Sequence, residues 1–234
     1  MQAVDFISDL HLAAGMPRTF AAWSAYLRNT PADVVFILGD LFEIWVGDDM
    51  GDLEFEASCL AVLARSAVAR PTWVQHGNRD FLLGDRFARA TGVQLLPDPT
   101  AIEAFGQTLL ATHGDALCID DVAYQLFRAQ VRAPAWQQEL LSQSLEARLA
   151  LAAKMRAASR APHDEPVTYA DADPPLADAW LRDAGAATLV HGHTHRPGSA
   201  MHGAHMRHVL SDWDLDTAAP AARRGEVLRW TAEG

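Results

Sequence analysis

The stretch DVVFILGD, residues 33–40, contains five consecutive apolar residues followed by a glycine and an aspartate. Such a run, rich in β-branched side chains and closed by Gly-Asp, predicts a buried strand that ends at a polar turn. The pattern recurs, with AVDFIS before Asp9, PTWVQH before Gly77, QTLLAT before His113 and ATLVHG before His193. The chain therefore predicts five buried strands with polar residues at their carboxyl ends.

Helical patterns lie between these strands, as in RTFAAWSAYLRN (18–29) and LEFEASCLAVLARSAVAR (53–70). Alternating strands and helices predict a layered α/β core whose polar strand ends converge on one edge. Near the end of the chain, MRHVLSDWDL and GEVLRWTA predict closing strands, and PGSAMHGAH predicts a turn region.

Residues 120–178 show only helical composition, without a convincing strand. We expect a helical insertion between two core strands, placed where it covers the site as a lid. With 234 residues, half of them apolar, the chain suits a single domain over residues 1–234.

The charge and cysteine content narrow the class of protein. A formal net charge of -11 argues against a nucleic-acid ligand. Cys59 and Cys118 lie far apart without CxxC spacing, which suits a reducing cytoplasm. The amino terminus does not resemble a signal peptide, and no apolar run reaches the roughly 18 residues of a membrane span. We expect a cytoplasmic protein with no obligate protein partner.

The residues that follow the predicted strands form a metal-ligand set without a thiolate. These are Asp9, His11, Asp40, Asn78, His113, His193 and His195. Oxygen and nitrogen ligands suit Mn²⁺, Mg²⁺, Fe²⁺ or Zn²⁺, and paired ions about 3.5–4 Å apart can clamp a phosphoryl group and generate hydroxide near neutral pH. Each motif alone is more often a turn. Five motifs in one order, each after an apolar strand, favour a catalytic site.

The motifs FISDLHL, FILGDLFEIWVGDD, HGNRDFLLGDRFA, THGDALCIDD and VHGHTHRP are spread over nearly the whole chain. In this order they resemble the calcineurin-like metallophosphoesterases. The resemblance implies a layered β-sandwich flanked by helices, with a di-metal site at the strand ends. It is strongest to the members that cleave the pyrophosphate of UDP-2,3-diacylglucosamine in the lipid A pathway, which implies UMP and 2,3-diacylglucosamine 1-phosphate as products.

The resemblance also implies roles for individual residues. Asp9, His11, Asp40 and His195 would hold one ion, and Asp40, Asn78, His113 and His193 the second, both most often Mn²⁺. Asn78, Arg79, Asp121, Ser159, His163 and His193 would contact substrate, with Asp40, Asn78 and Arg79 acting in catalysis. His163 and Pro166 depart from the family's amide and lysine, and Arg160 is a candidate to compensate. The resemblance further implies that metal-activated water attacks the α-phosphorus. It also implies that the protein attaches peripherally to the inner membrane.

Arg79 stands where related Gly-Asn motifs usually carry a histidine that protonates the leaving group. A pyrophosphate attacked at the uridylyl phosphorus releases a phosphomonoester, whose second pKa is about 6, so protonation is unnecessary. A guanidinium instead stabilises charge spread over two phosphates. The alternative for Arg79 is an ion pair with Asp80 or Asp85.

The insertion carries apolar residues near helical spacing and a basic group formed by Arg148, Lys154, Arg156 and Arg160. This combination fits a lipid surface, although a packed helical hairpin with a solvated face fits the same pattern. Two other functions stay open, namely hydrolysis of a different nucleoside diphosphate conjugate or phosphodiester, and a binding module on a degenerate phosphoesterase fold. We expect Asp48, Asp49 and Asp115 to orient ligands or cap helices.

Overall fold

The computed structural model describes residues 1–159 and 170–234, with the side chains of residues 157–159 left out. Within this part of the chain, ten strands form two five-stranded sheets. The strands are β1 (Ala3–Ile7), β2 (Val34–Leu38), β3 (Thr72–Gln75), β4 (Gln94–Leu96), β5 (Thr100–Ala104), β6 (Gln107–Thr112), β7 (Thr188–His191), β8 (Gly198–His202), β9 (His205–Val209) and β10 (Leu228–Thr231).

The first sheet has the order β10-β1-β2-β3-β4, and only the β1–β10 pair is antiparallel. The second has the order β5-β6-β7-β9-β8, with parallel pairing from β6 through β7 to β9. Because β1, β2 and β3 run parallel in one sheet, and β6 and β7 in the other, each group brings its carboxyl ends to one edge.

The predicted turn region PGSAMHGAH instead forms strand β8 and the hairpin turn that leads into β9. β8 pairs antiparallel with β9, and Ser199 lies opposite His208 in this register. The prediction was wrong because β8 is a largely exposed edge strand, so it lacks the alternation of apolar and polar residues that marks a half-buried strand. The short strands β4 and β5 were also not predicted.

Seven α-helices lie in the described residues: α1 (Pro17–Asn29), α2 (Glu54–Ala69), α3 (Asp85–Thr91), α4 (Val122–Val131), α5 (Pro134–Leu141), α6 (Leu145–Ser159) and α7 (Pro174–Ala184). On the outer face of the first sheet, Ile37 and Val74 pack in one buried cluster with Trp23 of α1 and Leu63 of α2. On the second sheet, Leu189 packs with Leu181 of α7.

The two sheets face each other across a second buried cluster. Phe6 and Phe36 stack with their ring centroids 5.2 Å apart and pack with Leu109 and Val190 from the opposite sheet. The result is a β-sandwich with helices on both outer faces, as the family resemblance implied.

The helices α4, α5 and α6 lie outside these layers, and we call them the cap. The cap is attached to the core by buried polar contacts. Asp115, which follows β6, accepts hydrogen bonds from the Tyr124 hydroxyl at 2.6 Å and from Arg128 Nε at 2.8 Å. Arg148 of α6 is buried, pairs with Asp49 and donates to the Val46 carbonyl at 2.6 Å.

A buried carboxylate also ties two strands of the first sheet to the helix α1. Asp5 of β1 accepts from Arg229 of β10 at 2.7 and 2.9 Å, from the Tyr26 hydroxyl at 3.0 Å and from Thr30 Oγ1 at 2.6 Å. Burial raises the pKa of the Asp5 carboxyl, but the hydrogen bonds from Arg229, Thr30 and Tyr26 outweigh it and leave the pKa below its ordinary value.

We expect Asp5→Asn to lower the free energy of unfolding by about 2 kcal/mol at pH 7, because the amide cannot accept all the charge-assisted hydrogen bonds. A depressed pKa stabilises the fold above the ordinary value of about 3.9 and the effect is lost as the pH falls further, so the difference from wild type should shrink below about pH 4. Urea unfolding at several pH values measures this. Asp52→Asn, which removes an exposed ion pair with Arg86, is the control and should leave stability nearly unchanged. Equal effects of the two substitutions would contradict the role of Asp5.

Candidate active site

The carboxyl ends of five strands meet at one edge of the sandwich and bring the predicted ligands together. Asp9 follows β1, Asp40 follows β2 and Asn78 follows β3, whereas His113 follows β6 and His193 follows β7. Asp9, Asp40 and His113 are buried, with exposed fractions of 2% or less. The site therefore lies between the two sheets.

Five of these residues adopt a left-handed backbone conformation that side chains other than glycine rarely take. The φ angles are 53° at Asp9, 48° at His11, 50° at Asp40, 65° at His193 and 52° at His195. Each such residue costs about 1–3 kcal/mol and persists where surrounding contacts enforce it. The surrounding contacts are main-chain hydrogen bonds, such as Asp9 N–H to the Gly39 carbonyl at 3.1 Å and Trp213 N–H to the Asp9 carbonyl at 2.9 Å.

The first group of donors consists of Asp9, His11 and His195. The two Nε2 atoms lie 3.2 Å apart, and Asp9 Oδ1 is 3.4 Å from His195 Nε2. On the other side of each ring a carboxylate faces Nδ1, with Glu43 at 3.1 Å from His11 and Asp212 at 3.7 Å from His195. A carboxylate near Nδ1 favours a proton on that nitrogen and leaves Nε2 available to bind a cation. A cation between the two Nε2 atoms and Asp9 satisfies all three.

The second group shows the same convergence of acceptors. His113 Nδ1 donates to the Leu38 carbonyl at 2.9 Å, and its Nε2 lies 2.9 Å from Asn78 Oδ1. His193 Nδ1 lies 2.9 Å from the same Asn78 oxygen. The donor set therefore fits a second divalent ion.

Asp40 lies between the two groups. Its Oδ1 is 3.7 Å from His113 Nε2, and its Oδ2 is 3.8 Å from His11 Nε2. The Arg79 main-chain N–H donates to Oδ1 at 2.8 Å and fixes the carboxylate plane. One oxygen faces each group, which is the arrangement that a bridging ligand needs.

The electrostatic field differs at the two histidines of the second group. Burial lowers the pKa of His113, but the Asp40 and Asp9 carboxylates outweigh it and raise the pKa to about 9. Burial and the charge of His113 lower the pKa of His193 to about 4. The negative field around His113 also attracts a metal cation.

An apolar cavity of about 550 Å³ opens beside these donors, between the strand-end loops and the cap. Its polar lining includes Asn78 and Arg79, together with Glu43, Asp121, Arg148 and Arg156. Its remaining lining includes Trp45, Phe81, Tyr124, Phe127, Trp136, Leu140, Leu151 and Met155. A ligand that fills the cavity and reaches the metal donors passes Arg79.

The alternative ion pair for Arg79 is not formed among the described residues. Asp80 is occupied by main-chain N–H groups, from Leu41 and Gly77 at 2.8 Å each. Asp85 lies 3.9 Å from Arg89. Arg79 therefore lines the cavity with its Nε atom buried and without a hydrogen-bond partner in the described structure.

Other sequence-predicted residues lie further from the donors or cannot be placed. Asp121 lines the cavity and caps α4, accepting from the Tyr124 main-chain N–H at 2.9 Å. Ser159 ends α6, and its side chain lies outside the described atoms. Arg160, His163 and Pro166 lie outside the described residues.

The comparison with known families agrees with this geometry. The calcineurin-like phosphoesterase family matches residues 3–197 of the chain. The chain belongs to that family. The expectation of a metal-dependent hydrolase is confirmed by this membership, whereas the number and kind of ions are separate questions.

Curated relatives of this calcineurin-like phosphoesterase share more than the fold. A UDP-2,3-diacylglucosamine hydrolase of Xanthomonas axonopodis is 42% identical over 98% of this chain and 95% of its own length. The protein of the same name from Chromobacterium violaceum is 45% identical over 90% of both chains, and that from Stenotrophomonas maltophilia is 43% identical over 98% of this chain and 95% of its own. The resemblance inferred from the motifs is confirmed.

The structure of this phosphoesterase corrects the interpretation of the basic group in the insertion. Arg148 is 4% exposed and pairs with Asp49, and the half-buried Arg156 pairs with Glu43, so both bind core carboxylates, whereas Lys154 of the same group is exposed. Asp48 caps α3 as expected, accepting from the Phe87 main-chain N–H at 3.0 Å.

None of the helices in the described part of the chain has the length and apolar character that crossing a membrane requires.

Glu43, Tyr124 and Asp212 are site residues that sequence reasoning missed. Glu43 and Asp212 face ligand histidines, and the Tyr124 ring lies 5.9 Å from that of His193. The position of Glu43, three residues after Asp40 in a strand-end motif, is a weak signal for a supporting carboxylate. Nothing in the sequence marks the other two residues.

The loop glycines of this phosphoesterase allow close approach to the ligands. A Cβ at Gly77 would lie 2.1 Å from Asp40 Oδ1, closer than real Cβ contacts allow. We expect Gly77→Ala to displace the Asp40 carboxylate and lower metal content at least about tenfold, a loss of the size seen when groups that orient ligands are removed. Elemental analysis of the purified protein measures this. Gly198→Ala, where a Cβ meets no atom within 4 Å, is the control. Full metal content in Gly77→Ala would contradict the tight approach.

Proposed function

We propose that this phosphoesterase hydrolyses the pyrophosphate of UDP-2,3-diacylglucosamine to UMP and 2,3-diacylglucosamine 1-phosphate. One observation carries the proposal: an apolar cavity of about 550 Å³ opens directly onto the metal-donor set, with Asn78 and Arg79 at the junction. A substrate that has phosphates at one end and acyl chains at the other matches these two environments. The names of the curated relatives support the same substrate.

Two divalent ions, Mn²⁺ in our proposal, would polarise a phosphoryl oxygen and supply a nucleophilic water for attack on the α-phosphorus. Asp9, His11, Asp40 and His195 would hold one ion, and Asp40, Asn78, His113 and His193 the other. The sharing of Asp40 between two groups of acceptors supports two ions. Oxygen and nitrogen donors without a thiolate suit Mn²⁺.

Arg79 would stabilise the charge that develops on the two phosphates. Its guanidinium is permanently charged and presents fixed donors, and it needs no proton to give because the leaving phosphomonoester has a pKa of about 6. The buried Nε without a partner among the described residues supports a ligand-directed role. Asp121, Ser159 and His163 are proposed to contact the substrate beyond its phosphates, and His193 is proposed to contact a phosphate.

UMP release from UDP-2,3-diacylglucosamine, UDP-glucose and an artificial phosphodiester tests the substrate. We expect the acylated sugar nucleotide to have a kcat/KM at least about a hundredfold higher, because only its acyl chains fill the cavity and each buried CH₂ contributes about 0.8 kcal/mol. Hydrolysis in ¹⁸O-labelled water should place the label in UMP. Equal turnover of all three compounds would contradict the substrate, and label in the sugar phosphate would contradict attack at the α-phosphorus.

We expect Arg79→Ala to lower kcat by about 10²–10³-fold, the usual effect of removing one group that stabilises transition-state charge. Because the Arg79 contact to Asp40 comes from the main chain, both ions should remain bound in elemental analysis. Arg86→Ala removes a guanidinium with an exposed partner, Asp52, and serves as the control with an unchanged rate. An unchanged kcat in Arg79→Ala would contradict the proposed role of Arg79 in catalysis.

We also propose that the protein acts at the cytoplasmic face of the inner membrane as a peripheral protein. Ala123, Tyr124 and Phe127 of α4 face the cavity, whereas Val122 and Leu126 on the same helix are 64% and 70% exposed. An exposed apolar stripe beside the cavity supports contact with the bilayer from which an acylated substrate is drawn.

We expect the double substitution Val122→Glu and Leu126→Glu to reduce sedimentation with anionic phospholipid vesicles at least about tenfold, since each charge disfavours the apolar interface. Hydrolysis of the substrate in detergent micelles should be nearly unchanged. Val68→Glu, at a residue of α2 that is 91% exposed, is the control. Equal vesicle binding by the wild type and the double variant would contradict attachment through α4.

A further inference from the structure

Glu43 lies on the side of the His11 ring that faces away from the other metal donors. Its Oε2 is 3.1 Å from His11 Nδ1, and its main-chain N–H donates to the Leu12 carbonyl at 3.1 Å. The second contact ties the loop after β2 to the loop that carries His11. Glu43 is therefore held beside this one ligand.

Arg156 of the cap helix α6 holds Glu43 at two points. One guanidinium nitrogen pairs with the Glu43 carboxylate, and the other donates to the Glu43 carbonyl at 3.1 Å. Both residues line the cavity between cap and core. A chain of contacts thus runs from α6 through Glu43 to His11.

We propose that Glu43 is a positioning residue for His11 and that Arg156 makes the affinity of the ion at His11 depend on cap helix α6. A carboxylate on Nδ1 fixes the tautomer, orients the ring and increases the basicity of Nε2. Arg156 fixes that carboxylate in turn. The inference rests on the metal centre of the proposed function and not on its substrate.

Two other ion pairs differ from this link. The second cap-to-core ion pair of α6, between Arg148 and Asp49, touches none of the proposed metal ligands. Asp212, which faces His195, forms an ion pair at 2.8 Å with Arg224, a residue outside the cap. Among these contacts, the Arg156–Glu43 pair joins the cap to a ligand.

The test titrates metal-free full-length protein with Mn²⁺ in the absence of substrate and follows free Mn²⁺ by electron paramagnetic resonance. We expect Glu43→Gln to weaken binding of one ion by about 10–100-fold, the usual effect of removing such a partner, and Arg156→Met to weaken the same ion by at least about threefold. Asp49→Asn, which loosens the other cap contact, should leave both dissociation constants within about twofold of wild type.

Wild-type affinity in both Glu43→Gln and Arg156→Met would overturn the proposal. Weakening by Asp49→Asn equal to that by Arg156→Met would also overturn it, because general attachment of the cap would then explain the effect. The substrate question is separate, since a chain that binds Mn²⁺ as expected but releases no UMP would contradict the proposed function alone.

Discussion

Ring nitrogens and side-chain oxygens converge at the carboxyl edge of the two sheets, and the rest of the site depends on this arrangement. The Nε2 atoms of His11 and His195 lie 3.2 Å apart, and His113 Nε2 lies 2.9 Å from the Asn78 amide oxygen. Divalent cations bound among these atoms would be held by several of them at once. The strained backbones at these positions hold the acceptors together and are held in turn by hydrogen bonds of the sandwich.

The cap is built onto the same edge by charges that point inward. Asp115 anchors α4 through Tyr124 and Arg128, while α6 is held by Arg148 and Arg156. Because these arginines are paired with core carboxylates, the space beneath the cap is lined mainly by aromatic and aliphatic side chains. An apolar chamber next to a highly charged centre is the feature that suits an amphiphilic phosphate substrate.

Part of this architecture could be predicted because apolar runs and their polar ends are local signals. The five strands before Asp9, Asp40, Asn78, His113 and His193 were predicted for this reason, and so were the helices around them. The edge strand β8 was missed because its exposed side chains carry no burial pattern. Arg148 was assigned to a basic surface group, since its burial against Asp49 depends on a contact between residues 99 apart in sequence.

Short motifs at strand ends specify chemistry within a few residues, so the candidate ligand types, their order and the family could be read from the chain alone. Three relations follow instead from packing: which oxygen of Asp40 faces which group, that Arg79 lines a cavity instead of pairing with Asp80, and that Glu43 lies between His11 and the cap. These relations join segments distant in the chain. They depend on how two sheets and a cap pack together, and no local pattern of residues encodes that packing.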